Sequence, residues 1–201
     1  ETLAVREKVP QVEVAAGDAA TALVFRVREA PETADVEKIA AFGAAHGVQI
    51  FLQTGGLDTV RPLDPLYPPL RYALEDGVII EFGPVDFIQI NRAVNASMVS
   101  AAVDALQPGP EDSVLDLFCG LGNFSLSLAR RARRVAAVEG DAALVAKAAA
   151  NSARNGIGNA AFVVENLFEP AKFGPWDRER HDLVLRDPPR AGAAALLARM
   201  A

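Results

Sequence analysis

The segment from Val114 to Leu126, VLDLFCGLGNFSL, constrains the fold more than any other stretch of this chain. An apolar run of strand length ends in a loop with Gly120 and Gly122, where missing side chains let the chain turn sharply and let a ligand approach the backbone. The residues beyond the loop read as the start of a helix whose free amides can receive a carboxylate or a phosphate. Phe124, Leu126 and Leu128 alternate as a strand would, yet a helix is expected, because the chain must cross between two parallel strands. Three more short apolar runs follow, RVAAVEG, AAFVVEN and HDLVLRD. Between the first two, Leu144, Val145, Ala148, Ala149 and Ser152 share one helical face after Asp141, and Asn155 and Gly156 terminate it. Strand and helix in alternation are the signature of a parallel sheet wrapped by helices, so the expected fold class is α/β.

The residues ahead of this region read differently. VEVAA and TALVFRV are expected to pair as strands around a turn at Gly17 and Asp18. Thr33 is expected to cap a helix with Val36, Ile39, Ala40 and Phe42 or Ala44 on its apolar face, and Gly47 to close it. VQIFLQ resumes as a strand. The stretch with Pro62, Pro65, Pro68 and Pro69 can be neither a central strand nor a helix interior. GVIIEFG supplies another strand before Pro84. Val94, Met98, Ala101, Val103 and Leu106 predict a helix from Arg92 to Leu106, ended by Pro108 and Gly109. The expected organisation is a small α+β domain over residues 1–86 and a second domain over residues 87–201.

Of the 201 residues 51% are hydrophobic, enough for a real core rather than a disordered segment. Cys119 is the single cysteine, which excludes an internal disulfide framework and any iron–sulfur or zinc site built from this chain's thiolates alone. A reducing, cytoplasmic setting fits that usage, and no apolar run approaches the roughly 18 residues needed to span a bilayer. The net charge of −6 is awkward for a nucleic-acid partner. Two arginine groups can still make a local basic face: Arg130, Arg131, Arg133 and Arg134, and Arg178, Arg180, Arg186 and Arg190. The plainer reading of the first group is a solvated face or helix end. The chain begins at Glu1 without a methionine and stops at Ala201 in a helical pattern, so a piece of a longer protein is expected.

The chemistry gathers at the strand ends. Glu139 closes the second apolar run, about twenty residues after the glycine loop, where an acidic side chain can accept hydrogen bonds from both hydroxyls of a ribose. The third run ends in Glu165 and Asn166, from which a polar group can reach an adenine edge. The fourth ends in Asp187, Pro188, Pro189 and Arg190. Four strand ends thus offer polar groups to one crevice, the place where open α/β sheets bind ligands. Taken singly, Asn166 and Asp187 read equally well as a helix cap or a turn former.

FIQINRAVNASMV, VLDLFCGLGNFSL, AVEGD, ENLFEP and DPPRAGA, in this order, resemble the RumA-type 23S ribosomal RNA (uracil-5-)-methyltransferases. The likeness runs from Phe87 to Ala193 and extends more weakly to PQVEVAAGD; Arg186 departs from the apolar residue usual in the last strand. It implies an incomplete Rossmann-like S-adenosylmethionine-dependent methyltransferase sheet after the small α+β domain. By the same resemblance Gln89 contacts the cofactor, Phe118 and Asn123 surround its methionine portion and adenosine, Glu139 holds the ribose, Asn166 lies near the adenine and Asp187 forms the floor of the cofactor and target-base site.

Such enzymes add a cysteine thiolate to C6 of uracil and need a base to remove the C5 proton. Neither catalytic residue is expected in this chain. The nucleophilic cysteine and base glutamate are expected beyond Ala201, and Cys119 is expected to pack in the cofactor loop. A small β-barrel RNA-binding domain and an iron–sulfur cluster are implied only for the full-length protein. Ribosomal RNA is the implied partner, with no membrane or DNA and a monomeric state. A transfer-RNA uracil-5 methyltransferase is one alternative. Others are a small-molecule or protein methyltransferase, which would use the same crevice, and a non-enzymatic cofactor- or RNA-binding module.

Overall fold

β-branched and apolar residues pair Gln11–Ala16 (β1) with Thr21–Arg26 (β2) as an antiparallel hairpin, Val14 opposite Leu23. The structure, a computed structural model, describes residues 3–169, 174–190, 192–194 and 196. The helix Thr33–His46 (α1) then carries the chain back so that Gln49–Gln53 (β3) runs parallel to β2. Arg61–Pro62 (β4) pairs antiparallel with β3 as an edge strand, the position at which a residue without an N–H costs no ladder bond. Ala22, Val24 and Ile50 are wholly buried in this sheet.

The ends and faces of α1 differ in part from the sequence expectation. Gly47 does close the helix, in the left-handed conformation at φ 63°. Thr33, however, is the first helical residue, and Glu32 stands at the N-cap without a side-chain capping bond. The carboxylate of Asp35 in the first turn is buried and accepts from the amides of Ala4 (3.0 Å) and Val5 (2.8 Å). The buried line is Asp35, Ile39 and Gly43, while Ala40, Phe42 and Ala44 are exposed. Gly43 decides this. A Cβ there would lie 2.6 Å from Cγ1 of Ile50 and 2.9 Å from the carbonyl oxygen of Val48, so α1 sits on β3 with its smallest residue inward.

Leu70–Ala73 (β5) and Ile79–Phe82 (β6) form a separate two-stranded sheet, closed by Gly77 at φ 82°. The chain divides into two compact units, Glu1–Tyr72 with Glu81–Ile88 and Ala73–Ile80 with Gln89–Ala201.

In the second unit Arg92–Leu106 (α2) has the bounds expected from its periodicity. Asn91 caps it by accepting from the Val94 amide at 3.1 Å. Gln107 ends it at φ 50°, ψ 50°, because the residue before Pro108 is disfavoured in the right-handed helical region. The buried line is Asn95, Val99 and Val103; Val94 is 60% exposed, so the face is turned from the one that counting hydrophobes selects. Ser113–Leu117 (β7), Arg134–Glu139 (β8), Ala160–Val164 (β9) and Leu183–Arg186 (β10) form a parallel sheet in the order β10-β7-β8-β9. Ser125–Ala129 (α3) and Ala142–Arg154 (α4) are the crossovers from β7 to β8 and from β8 to β9. All five residues of α3 are buried, which is why its apolar positions show no helical stripe. Leu115, Leu117 and Val138 pack with Leu167, Trp176 and Leu196. Strand order reverses at β7, so the carboxyl ends of β7 and β10 flank the switch point where such sheets bind ligands.

Gly43→Ala tests the seat of α1. In a free helix interior this change gains about 1 kcal/mol of propensity, whereas overpacking against Val48 and Ile50 costs about 1–3 kcal/mol. Urea denaturation is expected to show net destabilisation; a higher midpoint in the variant would contradict the close approach.

Candidate functional site

β7 is buried at every position, and the chain leaves its end through the glycine loop. Phe118 takes φ 68°, rare for a side chain of its size. Its amide and that of Cys119 both donate to the Val138 carbonyl, at 2.9 and 3.1 Å, which ties the loop to β8. Gly122 at φ 88° leaves only 3.2 Å between a built Cβ and Cγ of Leu126, whereas a Cβ on Gly120 would meet nothing within 4 Å. The loop is therefore closed towards α3 and open at Gly120.

Glu139, at the end of β8, faces that opening. Its Oε2 accepts from the Gly120 amide at 3.2 Å, and its Oε1 from the amides of Gly140 (2.7 Å) and Asp141 (3.1 Å). Bonds of this kind to a carboxylate are charge-assisted and fix its orientation. A carboxylate offers about four lone-pair sites, so these bonds leave it able to receive a further donor. Asp141 in turn caps α4, accepting from Ala143 (2.7 Å) and Leu144 (3.2 Å).

Asp116 lies inside β7 with no exposed surface. Its Oδ2 accepts from the hydroxyl of Ser125, the first residue of α3, so the bond spans the loop from strand to helix. Its Oδ1 is buried without a partner among the described residues. Burial pushes this carboxyl up to about 7; the Ser125 bond opposes the shift, and the charges of Asp187 and Glu139 add to it. Asp187 follows β10, its side chain exposed and its amide donating to the Leu117 carbonyl at 3.4 Å. Asp116, Glu139 and Asp187 thus share one acidic neighbourhood at the carboxyl edge of the sheet.

Cys119 is 3% exposed. Burial first, and then the charges of Asp116 and Glu139, push its thiol well above the usual range. The nucleophilic form of cysteine is the thiolate, which this setting suppresses.

The remaining residues singled out from the sequence fall into two groups. Phe118 meets Phe168, their ring centroids 5.7 Å apart and tilted by 55°, with Phe168 53% exposed. Asn123 pairs with Asn95 of α2 through two side-chain bonds. Asn166 is exposed and closes a turn after β9, donating to Glu169 (3.0 Å) and accepting from the Phe168 amide (3.0 Å). Its neighbour Glu165 accepts from the Gly174 amide (3.0 Å) and the Trp176 indole. Gln89 is exposed, and among the described residues no hydrogen bond joins it or Asn166 to the acidic group.

Neither the bond of Asn95 to Asn123 nor that of Ser125 to Asp116 was legible in the sequence. Asn95 interrupts the apolar line of Val99 and Val103, a signal visible only once the helix phase is known; nothing local marks Ser125 as the partner of Asp116.

The first arginine group is spent on the surface. Arg130 donates to the Asp76 carbonyl and Arg133 to that of Glu111 (3.0 Å), while Arg131 pairs with Asp104 (2.9 Å) and Arg134 with Glu179 (2.7 Å). Arg178, Arg180, Arg186 and Arg190 are exposed. Among the described residues no helix is long and apolar enough to cross a membrane, and no group of histidine, cysteine and acidic side chains could hold a metal ion.

Comparison with known proteins agrees with this architecture. A family described as tRNA (Uracil-5-)-methyltransferase matches residues 76–169. The chain is 47% identical over 201 residues to a Stenotrophomonas maltophilia protein named 23S rRNA (uracil(1939)-C(5))-methyltransferase RlmD, covering 100% of this chain and 45% of that relative. It is 47% identical over 199 residues to the Methylococcus capsulatus protein of the same name, covering 98% and 45%. The chain thus spans less than half the length of these relatives. Among solved structures, Pyrococcus abyssi tRNA (uracil-54, C5)-methyltransferase in complex with S-adenosyl-L-homocysteine matches with a TM-score of 0.68 at 19% identity, over 93% of this chain and 45% of that one. Pyrococcus abyssi Trm5b matches at 0.58 and 16% identity, over 95% and 56%. At these identities the likeness is one of fold, the α/β fold with a parallel sheet expected from the sequence.

The buried Asp116 makes stability depend on pH. Its carboxyl titrates near 3.8 in an unfolded chain and at about 7 when folded, so between those values the folded state holds a proton that the unfolded state has released. The associated stability is complete at the acid end and is lost as pH rises towards 7. Unfolding free energy should fall over that window, and Asp116→Asn, which keeps an acceptor for Ser125 but cannot ionise, should flatten the fall. A decline of equal size in the variant would assign the dependence to other groups.

Proposed function

Because the chain belongs to the RNA uracil-5 methyltransferase family, we propose that its crevice at the ends of β7 to β10 binds S-adenosylmethionine in the service of methyl transfer to C5 of a uridine in 23S ribosomal RNA. The observation that carries this reading is the Glu139 carboxylate, oriented by three backbone amides beside the open face of Gly120. That arrangement suits the two hydroxyls of a ribose. Phe118, paired with Phe168, and Asn123 bound the place of the methionine portion and adenosine. Asn166 is assigned to the adenine edge, Gln89 to a cofactor contact and Asp187 to the floor shared with the target base.

S-adenosylmethionine supplies a methyl group on a cationic sulfonium. Uracil C5 becomes a competent nucleophile only after a thiolate has added to C6, and a base must then take the C5 proton. Cys119 does not suit the first role, since it is buried and held protonated. The chain's own contribution is to bind and orient the cofactor. We assign the nucleophile and the base to the remainder of a longer protein, together with most of the RNA affinity and any iron–sulfur cluster. The commitment of four arginines to carbonyls and carboxylates supports that division.

In this reading residues 1–86 are the small α+β domain and residues 87–201 the methyltransferase part, working on ribosomal RNA in the cytoplasm as a monomer. The names of relatives at 47% identity favour ribosomal RNA. Transfer RNA is the second reading, since the matching family carries that name.

Calorimetry should detect S-adenosylhomocysteine binding by the 201-residue chain, weakened in Glu139→Ala by ~1–3 kcal/mol through loss of charge-assisted bonds to the ribose. Equal affinity in the variant would remove Glu139 from the site. With labelled S-adenosylmethionine and unmodified ribosomal RNA, the chain should transfer no methyl group. Turnover abolished by Cys119→Ser would make Cys119 the nucleophile after all.

A further inference from the structure

We infer that Asn95 is a positioning residue of the cofactor loop: from the buried face of α2 it sets the orientation of the Asn123 carboxamide, and with it the loop between Gly122 and α3. The inference rests on the proposed S-adenosylmethionine site and deepens it.

Asn95 is 4% exposed and lies on one line with Val99 (2%) and Val103 (3%), where a hydrophobic side chain would pack at least as well. An amide in such a place costs free energy unless its bonds are met. It is met by one partner. Asn95 Nδ2 donates to Asn123 Oδ1 at 3.1 Å, and Asn123 Nδ2 donates to Asn95 Oδ1 at 2.9 Å.

Two antiparallel bonds between carboxamides leave no ambiguity of orientation. Turning either amide by half a revolution would set N–H against N–H and oxygen against oxygen, losing both bonds and adding a repulsion. Apolar packing at the same point would hold α2 against the loop without supplying these two bonds to the Asn123 amide.

The position of Asn123 makes this consequential. It sits between Gly122, at φ 88°, and Phe124, one residue before α3 begins. Two residues before Gly122, the Gly120 amide is bonded to Glu139. Among the described residues the loop is held to β8 through the Val138 carbonyl, to Glu139 through Gly120, to α4 through the Leu121 carbonyl, which accepts from Asn151, and to α2 through the asparagine pair. The last of these joins side chain to side chain, so a substitution at Asn95 removes it without altering the strand or the loop.

The test is a double-mutant cycle read as S-adenosylhomocysteine affinity, with thermal unfolding recorded in parallel. Asn95→Leu keeps the volume and removes the pair, and Asn95→Ser is a second, smaller replacement should leucine fail to fold. Affinity should drop about tenfold for either folded variant, the worth of one good hydrogen-bond pair. In an Asn123→Ala background the same substitutions should change affinity by less than about twofold, because there is no amide left to orient. A purely structural role would move the melting temperature and leave the affinity of folded protein alone, and that result would overturn the proposal. So would an equal loss of affinity in both backgrounds. Absence of binding by the unsubstituted chain would instead overturn the cofactor reading itself, and this inference with it.

Discussion

The complete burial of β7 is the constraint on which the rest of the second unit depends. A strand flanked by β8 and β10 and covered on its faces has no solvent-facing side chains with which to meet a ligand. Its chemistry has to be delivered where the chain leaves it. Asp116 shows the same constraint from within: among the described residues a carboxyl placed in that strand reaches only Ser125, across the loop, and it sits among the charges of Glu139 and Asp187. The bond to its Oδ2 also fixes how far α3 can stand from the strand end.

That acidic neighbourhood discriminates between ligands that share a fold. A strand, a glycine loop and a helix start can receive a pyrophosphate in dinucleotide enzymes. Here the charges of Glu139 and Asp187 act on Asp116, raising its proton affinity, and the same charges oppose an anion. A cationic group placed there is favoured by the same field that disfavours a phosphate. The helix after the loop is only five residues long and wholly buried, so its dipole does little to reverse that sign. Electrostatics therefore points in the direction of the family relationship without depending on it.

The arginines illustrate the opposite lesson. A run of four basic residues within five positions looks like a footprint for a polyanion. In the folded chain each is turned to a carbonyl or a carboxylate, which spreads the charge over the surface instead of concentrating it. Exposed pairs of this kind contribute little to stability, about 0–1 kcal/mol each. Their effect is on where positive potential is available.

The amino-acid sequence by itself determined the α/β alternation, the runs that became β7 to β10, the bounds of α2, and the turns at Gly47 and Gly156. These features are written in residues close along the chain, as periodicity, turn chemistry and caps. The place of Glu139 at a strand end was legible for the same reason, since the apolar run and the spacing from the loop are both local. Only the tertiary structure decided which face of α1 and α2 is inward. Gly43 and Asn95 are there because of Ile50 and Asn123, not because of their own hydrophobicity. Tertiary structure also decided that α3 would be buried all round, that Leu70–Ala73 would partner β6, and that Asp116 would bond to Ser125. A polar side chain belongs inside only when another segment brings its partner, and that partner, 28 residues away for Asn95 and 9 for Asp116, exists as a neighbour only after the chain has folded.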